Sequence, residues 1–249
     1  MKKVLIALLA LLLCLPALAE CPITLDEPLS GVYVWPEGST EADALYVYRY
    51  RSPQAAGDSE VALHLNTTYA YSLEDALGFE VPMLASGMQP GDPQKIVEID
   101  YAVTHASEEY LSFAITKQVS VGGESTQVVS GHVFALTGPG AGRIVSLPVF
   151  LGLLDAEETD EWLLTRQTNK ADRIIREMVW DMIQSGGSEA GYYDALTYEE
   201  LEASFYPEED YCLTESGDLC FYFQPGSIAP EEMGLMTFEI PLWLVLDEF

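Results

Sequence analysis

The chain has 249 residues, 49% of them hydrophobic, which is enough to bury a core as one large domain or two small ones. Eleven Lys and Arg stand against 40 Asp and Glu, for a formal net charge of −29. A field of that sign repels phosphate backbones and anionic lipid, so nucleic acid is excluded as a partner and cationic partners are favoured.

Met1-Lys2-Lys3, the apolar run Val4 to Leu15 and Ala17-Leu18-Ala19 read as the n-region, h-region and small-residue cleavage site of a signal peptide over residues 1–19. Cleavage before Glu20 removes Lys2 and Lys3, leaving 9 basic and 40 acidic residues, or 9 − 40 = −31. No later run approaches the roughly 20 apolar residues a membrane span needs. The expectation is a soluble exported protein, periplasmic or extracellular, with no transmembrane span. A lipid anchor on Cys21 is disfavoured because Glu20 stands where a lipoprotein signal wants a small residue.

Strands are expected at 31–35 and 44–51, the second alternating Leu45, Val47 and Arg49 with Tyr46, Tyr48 and Tyr50. Ser59 to Ala76 fits two periods: Val61, Leu63, Leu65, Thr67 and Tyr69 alternate as in a strand, whereas Val61, Leu65, Tyr69 and Leu73 share a helical face. The breaker cluster Ser86 to Pro93 divides an N-terminal module, 20–90, from a C-terminal domain, 91–249, although the two could pack as one unit. Beyond it, strands at 96–104, 110–121 and 127–137 form an antiparallel meander, with a fourth short strand at 143–147 before Pro148.

From Asn169 to Ser185 the apolar residues Ala171, Ile174, Ile175, Met178, Val179, Met182 and Ile183 recur at helical spacing, with Asn169 and Asp172 as start signals and Gly186-Gly187 as a stop. Thr197 and Glu200 form a capping box that opens a second, short helix. Residues 210–214 and 218–224 then read as a hairpin around Glu215-Ser216-Gly217. That loop sets Cys212 opposite Cys220, close enough for a disulfide. Cys21 is left free, intermolecular or lipidated, and its pairing with either of the others stays open. Pro225 and Pro230 hold 226–229 as an irregular loop, and Phe238 and Ile240 mark a last strand. The fold class is α+β: an antiparallel sheet packed against one long and one or more short helices.

The stretch Leu213-Thr214-Glu215-Ser216-Gly217-Asp218-Leu219-Cys220-Phe221-Tyr222-Phe223-Gln224-Pro225, with Gly226-Ser227-Ile228-Ala229-Pro230 and Phe238-Glu239-Ile240-Pro241, resembles the closing signature of the RsiV-like extracellular domain family. That family is named after an anti-sigma factor whose outer part binds lysozyme, and it occurs beside the N-terminal module of PdaC-type peptidoglycan deacetylases. The likeness covers about 95–245, and more faintly 25–90, where a PdaC-like module would lie. It also tips Ser59 to Ala76 toward helix, after the turn Tyr50-Arg51-Ser52-Pro53. It implies a binding surface made of Tyr222, Gln224, Pro225, Gly226, Ser227, Ile228, Pro230, Glu231 and Glu232. Gly226 and Glu231 stand where members carry tyrosine, and Val121-Gly122-Gly123-Glu124-Ser125 lacks the histidine of the family's central turn. Without a cytoplasmic segment, anti-sigma activity is not implied.

No catalytic, metal or cofactor constellation stands out. His64, His105 and His132 lie far apart and outside any zinc spacing. Ser130-Gly131-His132 lacks the leading glycine of a nucleophile elbow. With 40 carboxylates, neighbours such as Glu157-Glu158, Asp160-Glu161 or Glu199-Glu200 arise by chance, and Asp155 to Glu161 lacks a calcium loop's central glycine. The resulting expectation is an exported, non-enzymatic cell-envelope binding protein. It would recognise a cationic protein, with lysozyme the candidate, through its acidic surface and the 224–234 loop. The alternative is a carboxylate-based envelope enzyme or a peptidoglycan-fragment binder.

Overall fold

The computed structural model describes residues 21–186, 191–208 and 211–249. The expected signal peptide, Gly187 of the helix stop and Asp210 at the head of the hairpin lie outside them. The architecture is α+β. Five strands form one sheet in the order β1-β2-β3-β4-β5: β1 Leu29–Trp35, β2 Tyr46–Ser52, β3 Lys95–Ala106, β4 Tyr110–Val121 and β5 Glu124–Ala135. The meander β3 to β5 is antiparallel as expected. The β2–β3 pairing is parallel, and the chain between these strands crosses over through helices, as parallel neighbours require. The sheet therefore runs without a break from the 20–90 segment into the 91–249 segment.

That crossover contains α1, Glu60–Asp75, then a π-helical turn at Ala76–Glu80 and α2, Val81–Ser86. Ser59 caps α1 by accepting from Ala62 N. The helical period prevails over alternation because Ala62, Leu65 and Tyr69 are buried while Leu63 is exposed. Leu65 and Tyr69 pack against Phe113 and Phe134, and Val81 and Ala85 against Tyr46, Tyr48 and Val97. One face of the sheet is thereby covered.

After β5, the expected strand at 143–147 is reduced to a single bridge between Phe134 and Ile144. Leu147 is instead drawn into the short helix α3, Leu147–Phe150, where Pro148 fits the first turn. Helix α4 spans Glu161–Gly186 and so starts eight residues before the signal at Asn169. Its true cap is Asp160, whose carboxylate accepts from Trp162 N at 3.0 Å and Leu163 N at 3.2 Å. Trp162 is exposed and stacks under Arg166, so the first turns are held by the cap and a cation–π pair rather than by the core. That is why the apolar period misses them.

Helix α5, Tyr198–Ser204, carries the expected capping box between Thr197 and Glu200. The small sheet β6-β7-β8 follows: β6 Tyr211–Leu213, β7 Leu219–Phe223 and β8 Met236–Ile240, and then the short helix α6, Leu242–Leu246. Leu213, Phe221, Phe223, Phe238 and Ile240 face Ala171, Ile175, Val179 and Ile183 of α4 in the largest core cluster. This small sheet and α4 frame the loop that follows β7.

Candidate functional site

The hairpin has the register read from its loop: Cys212 faces Cys220 and Leu213 faces Leu219. Gly217 takes φ 86°, the left-handed conformation a tight turn needs. Four contacts seat the hairpin, three on the second face of the large sheet and one on the segment that follows β5. Gly131 of β5 meets the backbone of β6 so closely that a Cβ there would overlap the Tyr211 carbonyl and lie 2.9 Å from Cys212 N. Ser112, fully buried, accepts from Leu213 N at 3.0 Å and from Thr104 Oγ1 at 2.9 Å, so its burial leaves no hydroxyl unpaired. A bulge in β3 between Val103 and His105 turns the His105 ring toward the hairpin loop, where Nδ1 lies 3.0 Å from Thr214 O. Tyr211 Oη donates to Val145 O.

A fifth contact fixes the base of the loop. The Gln224 amide donates to Val129 O at 2.7 Å and accepts from Val129 N at 2.9 Å, so a side chain pairs with edge strand β5 as a strand would. Ser227 turns the chain back, its backbone N–H and hydroxyl both donating to Gln224 O. Ile228 and Ala229 are buried, Ile228 within the core cluster. Pro230 precedes a 3₁₀ turn at Glu231–Met233.

Of the residues expected to bind, Ile228 is therefore a buried anchor and Gln224 is committed to β5. Pro225, Ser227 and Pro230 are half-buried, and Gly226, Glu231 and Glu232 are exposed. Met233, which sequence reasoning misses, is exposed beside them. Sequence reasoning misses Tyr193 too: its backbone N–H donates to Ile228 O at 3.1 Å and its hydroxyl to Gly226 O at 3.3 Å, while the residue remains 41% exposed. A tyrosine from the α4–α5 connection thus sits against Gly226. No local pattern marks it, because the contact spans 33 residues of sequence.

Tyr222 points away from the α4 core, with its hydroxyl 3.2 Å from Cys212 Sγ. Burial pushes the Tyr222 phenol up, and the contact with Cys212 adds to the shift. Cys212 and Cys220 are buried free thiols in this structure and face each other across the β6–β7 pair. Cys212 is pushed down, chiefly by its hydrogen bond with Cys220; Cys220 is pushed up by the same bond and by burial. Cys21 packs far from them, against the Ala62 and Leu65 cluster under α1.

Among the described residues no group of three or more His, Cys, Asp or Glu side chains could hold a metal ion. His132 lies with Nδ1 3.1 Å from Tyr69 Oη, and burial lowers its pKa, which favours the uncharged ring. No helix among the described residues is long and apolar enough to cross a membrane.

The frame of helix, hairpin and loop lies within a stretch that matches a family model. Residues 160–242 match a family described as "Protein of unknown function (DUF3298)". The match runs from the cap of α4 to the start of α6 and leaves out the meander. Comparison with curated proteins gave no match. Two solved structures share the fold over most of their length. One, a DUF3298 family member from Bacteroides fragilis, aligns at a TM-score of 0.53 and 14% identity, covering 91% of this chain and 93% of its own. The other, a DUF3298 family protein from Pseudomonas aeruginosa, aligns at 0.52 and 12%, with the same coverages. At such identities the likeness is one of fold. It covers 91% of this chain, well beyond the stretch that matches the family model.

Proposed function

We propose that this chain is an exported, non-enzymatic binding protein of the cell envelope, related to the RsiV-like ectodomains, that captures a cationic protein through the 224–234 loop. The carrying observation is the loop's construction. Its base is fixed by Gln224 on β5, Ile228 in the core and Tyr193 across Gly226, while Gly226, Glu231, Glu232 and Met233 are left exposed. A surface ordered before binding loses little entropy on association. Glu231 and Glu232 supply the charge that steers a basic partner, and Tyr193 and Met233 supply apolar contact. Tyr193 restores an aromatic ring beside Pro225-Gly226, where the resembling family carries tyrosine in the loop itself. Lysozyme, basic and implied by the resemblance, is the first partner to test.

Export would oxidise the opposed thiols, and Cys212 with Cys220 is the pair the register favours. The test of the loop is affinity for a c-type lysozyme in the wild type, Tyr193→Ala and Glu231→Gln/Glu232→Gln. Tyr193→Ala should weaken binding about tenfold or more through faster dissociation. The double Gln variant should lower the association rate and flatten its salt dependence. Unchanged kinetics in both variants would remove the loop from the interface.

A further inference from the structure

The apolar stripe of α4 is wider than the core that covers it. Ile174, Ile175, Val179 and Ile183 are buried, whereas Met182, on the flank, is 39% exposed. Across from it, the end of β8 and α6 present Pro241 and Leu244 above the buried Ile240. Helix α6 has the sequence Leu-Trp-Leu-Val-Leu, yet only Val245 is buried; Trp243, Leu244 and Leu246 are all exposed. Between the two walls lies a groove of about 690 Å³ with Met178, Met182, Ile240, Pro241 and Leu244 on its floor and walls. Single exposed apolar residues are ordinary, but a continuous apolar groove is not.

Asp181, Glu239 and Glu248 rim this groove, and among the described residues no Lys or Arg lines it. Among the described residues these three carboxylates make no salt bridge, in contrast to Glu98 and Asp100 on the large sheet, which are paired with Arg49 and Arg51. The charge therefore selects the occupant. A second copy of this chain, at −29, would be repelled, and so would an anionic membrane.

We propose that the groove between α4, the end of β8 and α6 docks a basic amphipathic helical segment of a partner, whose apolar stripe rests on Met178, Met182 and Leu244 and whose flanking Lys or Arg meet Asp181, Glu239 and Glu248. Methionines suit this role because their unbranched side chains repack around different apolar anchors. Along α4 the wall from Met178 to Ser185 is about 11 Å long, which accommodates two turns of helix and apolar anchors at i and i+4. This site lies at the opposite end of β8 from the 224–234 loop and does not depend on the loop being an interface.

The test titrates the full chain with a helical Leu/Lys peptide whose leucines share one face, and with a scrambled peptide of the same composition. The wild type should bind the amphipathic peptide about tenfold or more tightly than the scrambled one. Met182→Lys, which places a cation on the apolar floor, should remove about tenfold or more of that affinity. Leu244→Lys on the facing wall does the same and replaces Met182→Lys if that variant fails to fold by circular dichroism. Glu74→Gln/Asp75→Asn, exposed at the end of α1 on the other face of the large sheet, should leave peptide affinity unchanged, which separates the groove from the general acidity of the chain. Equal binding of the two peptides, no binding of either, or full affinity in the folded Lys variants would overturn the proposal.

Discussion

Gly131→Ala tests how the hairpin is seated. The added Cβ would overlap the Tyr211 carbonyl and come within 2.9 Å of Cys212 N, and these are backbone atoms that no rotamer change can move aside. Overpacking a core typically costs about 1–3 kcal/mol, and a backbone obstacle belongs at the upper end. Displacing β6 also strains the Ser112 bond to Leu213 N, which contributes about 1 kcal/mol more. A loss of about 3–4 kcal/mol in a chain this size lowers Tm by roughly 6–16 °C. Gly78→Ala is the control of opposite sign: Gly78 is exposed in the helical crossover, with nothing within 4 Å of where the alanine methyl would stand, so the substitution should stabilise by about 0.5–1 kcal/mol. Thermal and urea unfolding followed by circular dichroism measure both. A Gly131→Ala variant melting within about 2 °C of wild type would show that the hairpin does not sit against β5 as described.

Gln224→Ala removes both bonds to Val129 and should cost about 1–3 kcal/mol in urea unfolding. His132 is held neutral below its ordinary value of 6.5 by burial, so the unfolded chain takes up its proton first as pH falls. The stability it supports is complete above about pH 6.5 and declines below that by up to about 1.4 kcal/mol per pH unit until the lowered pKa is reached; His132→Phe should flatten this slope, and an unchanged slope would relieve His132 of the role. Oxidised glutathione, taking two electrons and two protons from the opposed thiols, should yield a peptide linking Cys212 to Cys220 in non-reducing mass mapping, with Cys21 unlinked. A Cys21 cross-link to either one would overturn the pairing.

Local features of the fold are legible in the sequence because they are written in adjacent residues. The hairpin register follows from Glu215-Ser216-Gly217, the capping box from Thr197 and Glu200, and the meander from three alternating runs. The start of α4 is not legible, because Trp162 is exposed and the early turns carry no core-facing period. Nor is the parallel β2–β3 pairing, since a crossover of helices leaves its strands' order to tertiary packing. The candidate site divides the same way. The loop and its exposed Glu231 and Glu232 can be named from sequence, but Gln224, expected at the binding surface, pairs instead with Val129, 95 residues away. Tyr193 and Gly131 are hidden for the same reason: their roles are contacts between distant segments, which no local spacing announces.

The most direct test of the loop as a receptor surface is calorimetric titration of the mature protein with a c-type lysozyme, at about 0.05 M and about 0.3 M salt, against an unrelated protein of similar basic charge. Exposed charges are largely screened at the higher salt, so nonspecific attraction should fade there while a packed interface persists. Binding confined to lysozyme and retained at high salt is the expected result. No binding, or equal and salt-sensitive binding to both proteins, would contradict it.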